Sequence, residues 1–375
     1  MSLLELVQMK QAEQVKRLTV GPVPIHPGML EILGKQHFST RDAVFVEIMK
    51  ALQGFLRESV GTINNTVIME HGSGSAGLCA IGNQLLKPSD KVLVLNSGKF
   101  GERWVKIAEK RGCQVINLEL PWETKIDWHL VGQNLTSEKP QILLMQHSET
   151  STGAVHSLEL ARKTISECSP ETLLVVDAIS SWGSIPINMD SNQIDAVVGA
   201  SQKGFMLPTG LHFMCFSEKA LAVISENRDQ KLISDFSHAP LTDIKVQLKG
   251  EPRFSMDSNS LMALVYLKEE IIDKFGGWQK WFDFTKERAS KIRQAVSTMG
   301  FEIFSDSAGD VVTAIKLPEN LDVKEVRQKL SSAGFEVNKS QDETKFRGIR
   351  IGNMGYITND DVTKLISALR PILAS

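Results

Sequence analysis

The segments LLVVDAISSWG (173–183) and IDAVVGASQKG (194–204) show the pattern that decides the fold. Each contains a run of apolar residues, rich in valine, that leads into small and polar residues. Uninterrupted apolar runs are typical of strands that are buried on both faces of a parallel sheet. The two runs lead to Asp177 and Lys203. A charged residue at the end of a buried strand needs a reason, because burying an unpaired charge is costly.

The same pattern starts near residue 66 and alternates with helical patterns. Amphipathic segments such as GERWVKIAEKRG (101–112) and LELARKTISECS (158–169) have helical spacing. Strands alternating with helices predict an α/β fold with a mostly parallel sheet that helices cover on both faces. The other predicted strands of this region are TVIMEHGSGS (66–75), KVLVLNSG (91–98), CQVINLEL (113–120) and PQILLMQHSETSTG (140–153).

Polar clusters follow five of the predicted strands. In open parallel sheets, ligands bind in the crevice at the carboxyl ends of the strands. We therefore expect these clusters to converge on one crevice. They are HGSGS (71–75), NSGKF (96–100), HSETSTG (147–153), VDAISS (176–181) and GASQK (199–203).

The pattern changes after about residue 250, where long amphipathic helical segments and a few short strands follow. SLMALVYLKEEIIDKFG (260–276) and WQKWFDFTKERASKIRQAVSTMG (278–300) are the longest helical segments. We predict a large domain over residues 18–255. Residues 256–375 are predicted to form a smaller C-terminal α+β domain, together with the N-terminal segment 1–17.

Composition excludes several classes of function. The chain has 375 residues, of which 42% are hydrophobic and 23% charged, and its net charge is −2. No basic excess indicates a nucleic-acid partner, and no segment approaches the roughly 20 apolar residues of a membrane span. The four cysteines are scattered, so we predict neither a metal site nor disulfides. A cytoplasmic setting is expected.

Three of these features together suggest one chemistry. The HGSGS turn precedes a helical pattern, and a helix N-terminus binds anions, although a glycine turn with a serine cap would look the same. Asp177 could cap a loop or hold a proton on a buried nitrogen. Lys203 could be a solvated loop residue, or a buried amine with a lowered pKa that forms imines with aldehydes. A phosphate cradle, an aspartate and such a lysine are the parts that a pyridoxal phosphate (PLP) enzyme needs.

The motifs VDAISSWG (176–183), GASQKGFMLPTGLHF (199–213) and HSETSTG (147–153) resemble the class V aminotransferases of fold type I. The resemblance extends from LTVGPVPIHPGML (18–30) to RGIRIGNMGYIT (347–358), nearly the whole chain. It is strongest to the alanine–glyoxylate and serine–glyoxylate (serine–pyruvate) aminotransferases. It implies a fold type I PLP-dependent transferase and a homodimer with shared active sites.

The resemblance also implies how residues contact PLP. Lys203 would form the imine with the cofactor, and Asp177 would pair with the pyridine nitrogen. Thr150 would bind the phenolic oxygen, and Phe100 would stack on the ring. For Arg103 the sequence predicts only a position at the start of a helix and no contact with PLP. The phosphate would be held by Ser73, Gly74, Ser75 and Gln202, and by Ser255 and Ser258 of the partner subunit, which match the family only as hydroxyls.

Three further residues are implied to face the substrates. Arg350 would bind the α-carboxylate through its planar guanidinium group. The backbone near Gly21 would line the pocket for a small amino donor. Arg41 could bind a second anionic group of a substrate, or it could pair with Asp42, Glu47 or a dimer neighbour.

We therefore expect reversible transfer of an amino group from a small amino acid, alanine or serine, to glyoxylate or pyruvate. A transaminase of the 2-aminoethylphosphonate–pyruvate type is an alternative, because SWGSIPI (181–187) is similar to its motif. Gln202 before Lys203 favours the glyoxylate branch. A desulfurase is disfavoured, because no cysteine follows Cys215. A non-catalytic subunit that has the PLP fold is a further alternative.

Overall fold

A computed structural model describes residues 2–5, 15–37, 39–233, 235–342 and 345–373. Most of the predicted N-terminal segment, residues 1 and 6–14, lies outside the described residues. So do residues 374–375 at the end of the predicted C-terminal domain. No helix within the described ranges is long and apolar enough to cross a membrane.

The first part of the chain alternates strands and helices, as predicted. Its elements, in chain order, are β1 (Lys16–Arg17), α1 (Pro27–Leu33), α2 (Ala43–Val60), β2 (Val67–Gly72), α3 (Gly74–Leu85), β3 (Lys91–Asn96), α4 (Gly101–Lys110), β4 (Gln114–Glu119), α5 (Trp128–Glu138), β5 (Ile142–Gln146), β6 (Ser148–Glu149), β7 (Ala154–Val155), α6 (Leu158–Cys168), β8 (Leu173–Asp177), β9 (Ala196–Ala200) and β10 (Gly210–Phe216).

The second part is rich in helices and contains a small sheet. Its elements are α7 (Glu218–Asp229), α8 (Pro240–Gln247), α9 (Ser258–Tyr266), a π-helical turn (Leu267–Asp273), α10 (Trp278–Thr298), β11 (Val312–Lys316), α11 (Val323–Ser332), β12 (Phe335–Glu336), β13 (Asn338–Lys339), β14 (Gly348–Gly352) and α12 (Asn359–Leu373).

A seven-stranded sheet in the order β2-β10-β9-β8-β5-β3-β4 forms the centre of the molecule. The pairs among β9, β8, β5, β3 and β4 are parallel, which confirms the predicted α/β fold. Strand β10, which the sequence analysis did not predict, is antiparallel to both of its neighbours. The reason is the short link of residues 201–209, because a parallel return requires a crossover of a dozen or more residues.

Successive side chains of the central strands alternate between two hydrophobic cores. Leu93 and Leu143 pack in the larger core with Trp182, whereas Val94 and Leu144 pack in a second core on the other face. Both faces are therefore buried, so the strands are apolar throughout and polar residues appear only at their ends.

The C-terminal strands form a separate antiparallel sheet in the order β11-β14-β13. Its core includes Ile315 and Ile349 from this sheet and Leu365 from α12. Strand β1 pairs in parallel with β12, so the described end of the N-terminal segment contacts this region. The predicted domain boundary at residues 255 and 256 stays a prediction.

Candidate functional site

All five predicted polar clusters contribute to one cavity at the carboxyl edge of the central sheet. This confirms the predicted convergence, which follows from the shared direction of β3, β5, β8 and β9. Gly21 and Pro22, Arg103 and Thr209 also line the cavity. The lining residues are Gly21, Pro22, Ser73, Gly74, Ser75, Phe100, Arg103, Ser148, Asp177, Ile179, Ser180, Gln202, Lys203 and Thr209.

Lys203 follows β9 and is buried, with 9% of its surface exposed. Its Nζ donates a hydrogen bond to the backbone carbonyl of Val20. Burial lowers its pKa to about 8; the Asp177 carboxylate opposes this shift, and Arg350 and Arg103 add to it. The lowered pKa favours the neutral amine, which is the form that acts as a nucleophile.

Two glycines allow close packing around the lysine, one against its side chain and one directly after it in the chain. A Cβ on Gly21 would lie 2.5 Å from Nζ of Lys203, and the φ angle of Gly21 is +126°. A Cβ on Gly204 would lie 2.4 Å from the carbonyl oxygen of Trp182. Only glycine fits these positions without displacing a neighbour.

Asp177 ends β8 and contributes its carboxylate to the same cavity. Its Oδ1 accepts a hydrogen bond of 2.9 Å from the backbone N–H of Ile179. Burial raises its pKa to about 6; the backbone hydrogen bond opposes the shift, and the Glu149 carboxylate adds to it. A cation beside Asp177 would relieve this burial penalty, because opposite charge favours the ionised carboxylate.

The turn between β2 and α3 has the groups that an anion site needs. Ser73 is the N-cap of α3, and its Oγ accepts a hydrogen bond from the Ala76 N–H. The Oγ of Ser75 accepts a hydrogen bond of 2.8 Å from Nη1 of Arg103. Hydroxyls, the N–H groups of a first helical turn and a guanidinium group together suit a phosphate.

Glu149 connects two of the loops around the cavity. Its Oε2 accepts hydrogen bonds from the backbone N–H groups of Phe100 (3.0 Å) and Gly101 (3.2 Å). Its Oε1 accepts from both the backbone N–H and the Oγ of Ser151. Glu149 therefore holds Phe100 in the cavity wall and places a carboxylate at the N-terminus of α4, where helix dipoles favour negative charge.

Thr150 and Arg350 lie next to each other but do not line the cavity. Nη1 of Arg350 donates a 2.9 Å hydrogen bond to the carbonyl of Thr150, and its Nε and Nη2 donate to the carbonyl of Lys339. Burial lowers the pKa of Arg350 to about 10, so it remains a cation at neutral pH. The implied contacts of these two residues with cofactor and substrate stay predictions.

Arg41, Ser255 and Ser258 lie away from the Lys203 cavity within one chain. Arg41 and Ser255 line a different cavity, together with Glu251 and Arg253. Ser258 is the first residue of α9. Of the pairing partners proposed for Arg41, Asp42 caps α2 and Glu47 pairs with Lys50.

Sequence reasoning missed Arg103, Ser148 and Glu149. Arg103 was placed only at a helix entrance, yet it lines the cavity, and its guanidinium carbon lies 4.8 Å from the centre of the Phe100 ring. The available signal was its position three residues after Phe100, which places both residues on one side of the first turn of α4.

The described residues fit PLP. Oε1 of Gln202 and Oγ of Ser148 are buried without a hydrogen-bond partner among the described residues, and both residues line the cavity. Buried polar atoms without partners are rare in folded proteins and indicate a missing ligand or water. The amine of Lys203, the Asp177 carboxylate, the turn before α3 and the Phe100 ring would supply the remaining contacts.

Comparisons with known proteins give a consistent result. Residues 33–228 match the family model described as Aminotransferase class-V. The chain is 27% identical to the (S)-ureidoglycine–glyoxylate transaminase of Bacillus subtilis, over 95% of this chain and 90% of that protein. It is 27% identical to the serine–glyoxylate aminotransferase of Methylorubrum extorquens, over 89% and 85% of the two chains.

A solved structure is similar over almost the whole fold. The crystal structure of the ureidoglycine–glyoxylate aminotransferase from Bacillus subtilis superposes with a TM-score of 0.84 at 26% identity. The match covers 96% of this chain and 93% of that one.

Proposed function

Because the chain belongs to the class V aminotransferase family, we propose that it moves the amino group of a small amino acid, alanine or serine, to glyoxylate or pyruvate. Membership makes it a PLP-dependent enzyme of fold type I. Its substrates are amino acids and 2-oxo acids. The proposal concerns which amino donor and which acceptor it prefers.

Bound PLP supplies an aldehyde for the substrate amine and an electron sink for the bonds at its Cα. Lys203 would hold the cofactor through Nζ, and its amine would move the proton at the substrate Cα. Asp177 would keep the pyridine nitrogen protonated, and Phe100 would orient the ring. Thr150 would bind the phenolic oxygen. The phosphate would be held by Ser73, Gly74, Ser75 and Gln202, and by Arg103, which contacts Ser75.

The close approach of Gly21 to Nζ of Lys203 is the observation that best supports a small donor. The cavity wall beside the reactive amine is backbone, with no side chain between Gly21 and Nζ. Arg350 remains cationic, and its charge contributes to the lowered pKa of Lys203, so it is our candidate for binding the substrate carboxylate.

The names of the relatives support glyoxylate as the acceptor. The Bacillus subtilis and Methylorubrum extorquens proteins both carry glyoxylate in their names, whereas their donors are ureidoglycine and serine. The acceptor is therefore better supported than the donor. Specificity among donors depends on small differences, since one methylene is worth about 1–3 kcal/mol in a pocket.

A homodimer with shared active sites completes the proposal. Ser255 and Ser258 do not line the Lys203 cavity of their own chain, which is compatible with a contact to the partner's phosphate. Light scattering on the purified protein should give twice the chain mass of 41.5 kDa. A monomeric, fully active enzyme would exclude this arrangement.

The substrates are tested with a panel of amino donors against glyoxylate and pyruvate. We expect alanine or serine with glyoxylate to give a kcat/KM at least about 10²-fold above that of 2-aminoethylphosphonate with pyruvate, because one well-matched group is worth about that factor. The Lys203→Ala variant should lose turnover and the visible absorbance of the bound cofactor. Preference for the phosphonate would support the alternative transaminase.

A further inference from the structure

A cluster of two histidines and a glutamate lies behind the phosphate turn. Glu70 on β2 and His212 on β10 are cross-strand partners in the sheet. His238, from the segment between α7 and α8, packs against them, with 5.7 Å between the two imidazole centres. His212 also lies beneath the start of α3, because a Cβ on Gly77 would be 2.9 Å from its ring.

The potential ligand atoms of this cluster converge. Nε2 of His212 is 3.4 Å and Nε2 of His238 is 3.6 Å from Oε2 of Glu70. One ligand atom from each residue lies within 4.8 Å of the other two. Ligands about 2.1 Å from a tetrahedral ion lie roughly 3.4 Å from one another. The glutamate–histidine separations therefore match a metal site and need only a small contraction between the histidines.

Most of the donor atoms are buried. His212 is fully buried, and its Nε2 has no hydrogen bond among the described residues. Both carboxylate oxygens of Glu70 are buried, and the Asp243 carboxyl group lies beside them. Unsatisfied buried polar groups of this kind require an explanation.

The third ligand is oriented by an aspartate. Nδ1 of His238 lies 2.7 Å from Oδ2 of Asp235. Asp235 is itself held by Nδ2 of Asn83 and by the backbone N–H groups of Ser237 and His238. A carboxylate on Nδ1 directs the Nε2 lone pair towards Glu70. Metal-binding histidines usually have such a partner on the second nitrogen.

We propose that Glu70, His212 and His238 bind one divalent transition-metal ion, with zinc the best match. Two imidazole nitrogens and one carboxylate suit zinc, which accepts water as a fourth ligand. A neighbouring cavity lined by Glu70, His238, Asp243 and Arg253 gives that water and the ion an entry route. The ion would fasten the 235–238 segment to the sheet behind the phosphate turn.

The test is zinc binding by the holoenzyme after chelator treatment and dialysis. Competition with a chromogenic chelator should show one zinc per chain, with a Kd of about 1 μM or tighter, which corresponds to about −8 kcal/mol. Cobalt in place of zinc should give the visible bands of a tetrahedral site. Absence of stoichiometric binding by the wild-type protein would overturn the proposal, whatever the variants do.

Matched variants locate the ion. His238→Gln should weaken binding at least about 10²-fold, and Asp235→Asn by about 10–100-fold. His71→Gln is the control, because His71 is a neighbouring histidine whose Nε2 pairs with the Ser255 carbonyl. The zinc affinity of this variant should equal that of the wild-type protein. Equal affinities for His238→Gln and His71→Gln would place the metal elsewhere. The readout is metal binding, so the outcome for the metal site does not depend on the transaminase assay.

Discussion

Replacing Gly21 by alanine should reduce turnover about 100-fold while leaving the protein folded. The new Cβ would lie 2.5 Å from Nζ, 2.6 Å from Cε and 2.9 Å from Cδ of Lys203. Carbon contacts normally lie about 3.5–4.0 Å apart, so the end of the lysine must move by about 1 Å. A misplacement of about 1 Å at a reacting group costs about 10²-fold in rate, or about 2.7 kcal/mol in activation free energy.

The same substitution also strains the backbone, since the φ angle of Gly21 is +126°. Such strain costs about 1–3 kcal/mol in stability. Gly277→Ala is the matched control, because Gly277 has a φ angle of +94° and a Cβ added there would meet nothing within 4 Å. It should lose similar stability but keep its activity, since Gly277 does not line the Lys203 cavity.

The assay measures kcat with alanine and glyoxylate, the visible absorbance of the bound cofactor and the denaturation midpoint of both variants. We expect similar midpoints and a turnover loss confined to Gly21→Ala. Wild-type kcat for Gly21→Ala would refute the inference that this backbone approach positions Lys203. A loss of turnover in both variants would show that backbone strain alone is responsible.

Four further residues give five more predictions. Asp177→Asn should bind the cofactor but lose about 10²–10⁴-fold in kcat, because an amide cannot keep the pyridine nitrogen protonated; an unchanged kcat would contradict this role. In the cofactor-free protein, Lys203 should react with an aldehyde at a rate that rises as the pH passes about 8, and a midpoint at the ordinary lysine value would contradict its burial. Because folded Lys203 holds its proton less tightly than unfolded lysine does, its contribution to stability should rise with pH between about 8 and 10.5, as denaturation at several pH values can check. Glu149→Gln should lower the free energy of unfolding by about 1–3 kcal/mol and loosen Phe100, seen as altered cofactor absorbance; an unchanged spectrum and midpoint would refute this. Arg41→Ala should shift the preference between serine and phosphoserine as amino donors if Arg41 binds a second anion. An unchanged ratio of kcat/KM for the two donors would indicate that Arg41 makes a surface or dimer contact instead.

The sequence predicted the alternating strands of the central sheet well, because local periodicity reports which residues are buried. Asp177 and Lys203 could be placed at one edge, since parallel strands share their carboxyl ends. The antiparallel direction of strand β10 could not be predicted, because it depends on the short link 201–209 and on its two neighbours. Those are properties of the assembled sheet and leave little trace in a local pattern.

The site shows the same division between local and tertiary information. The sequence by itself determined which cofactor chemistry this chain supports, because a lysine, an aspartate and a glycine-serine turn at strand ends are local signals. Only the tertiary structure brought Arg103 to Ser75, Gly21 to Lys203 and Glu70 to His212 and His238. These contacts join segments far apart in the chain, so they arise from packing, and packing decides which buried polar atoms gain partners and which remain available for a ligand.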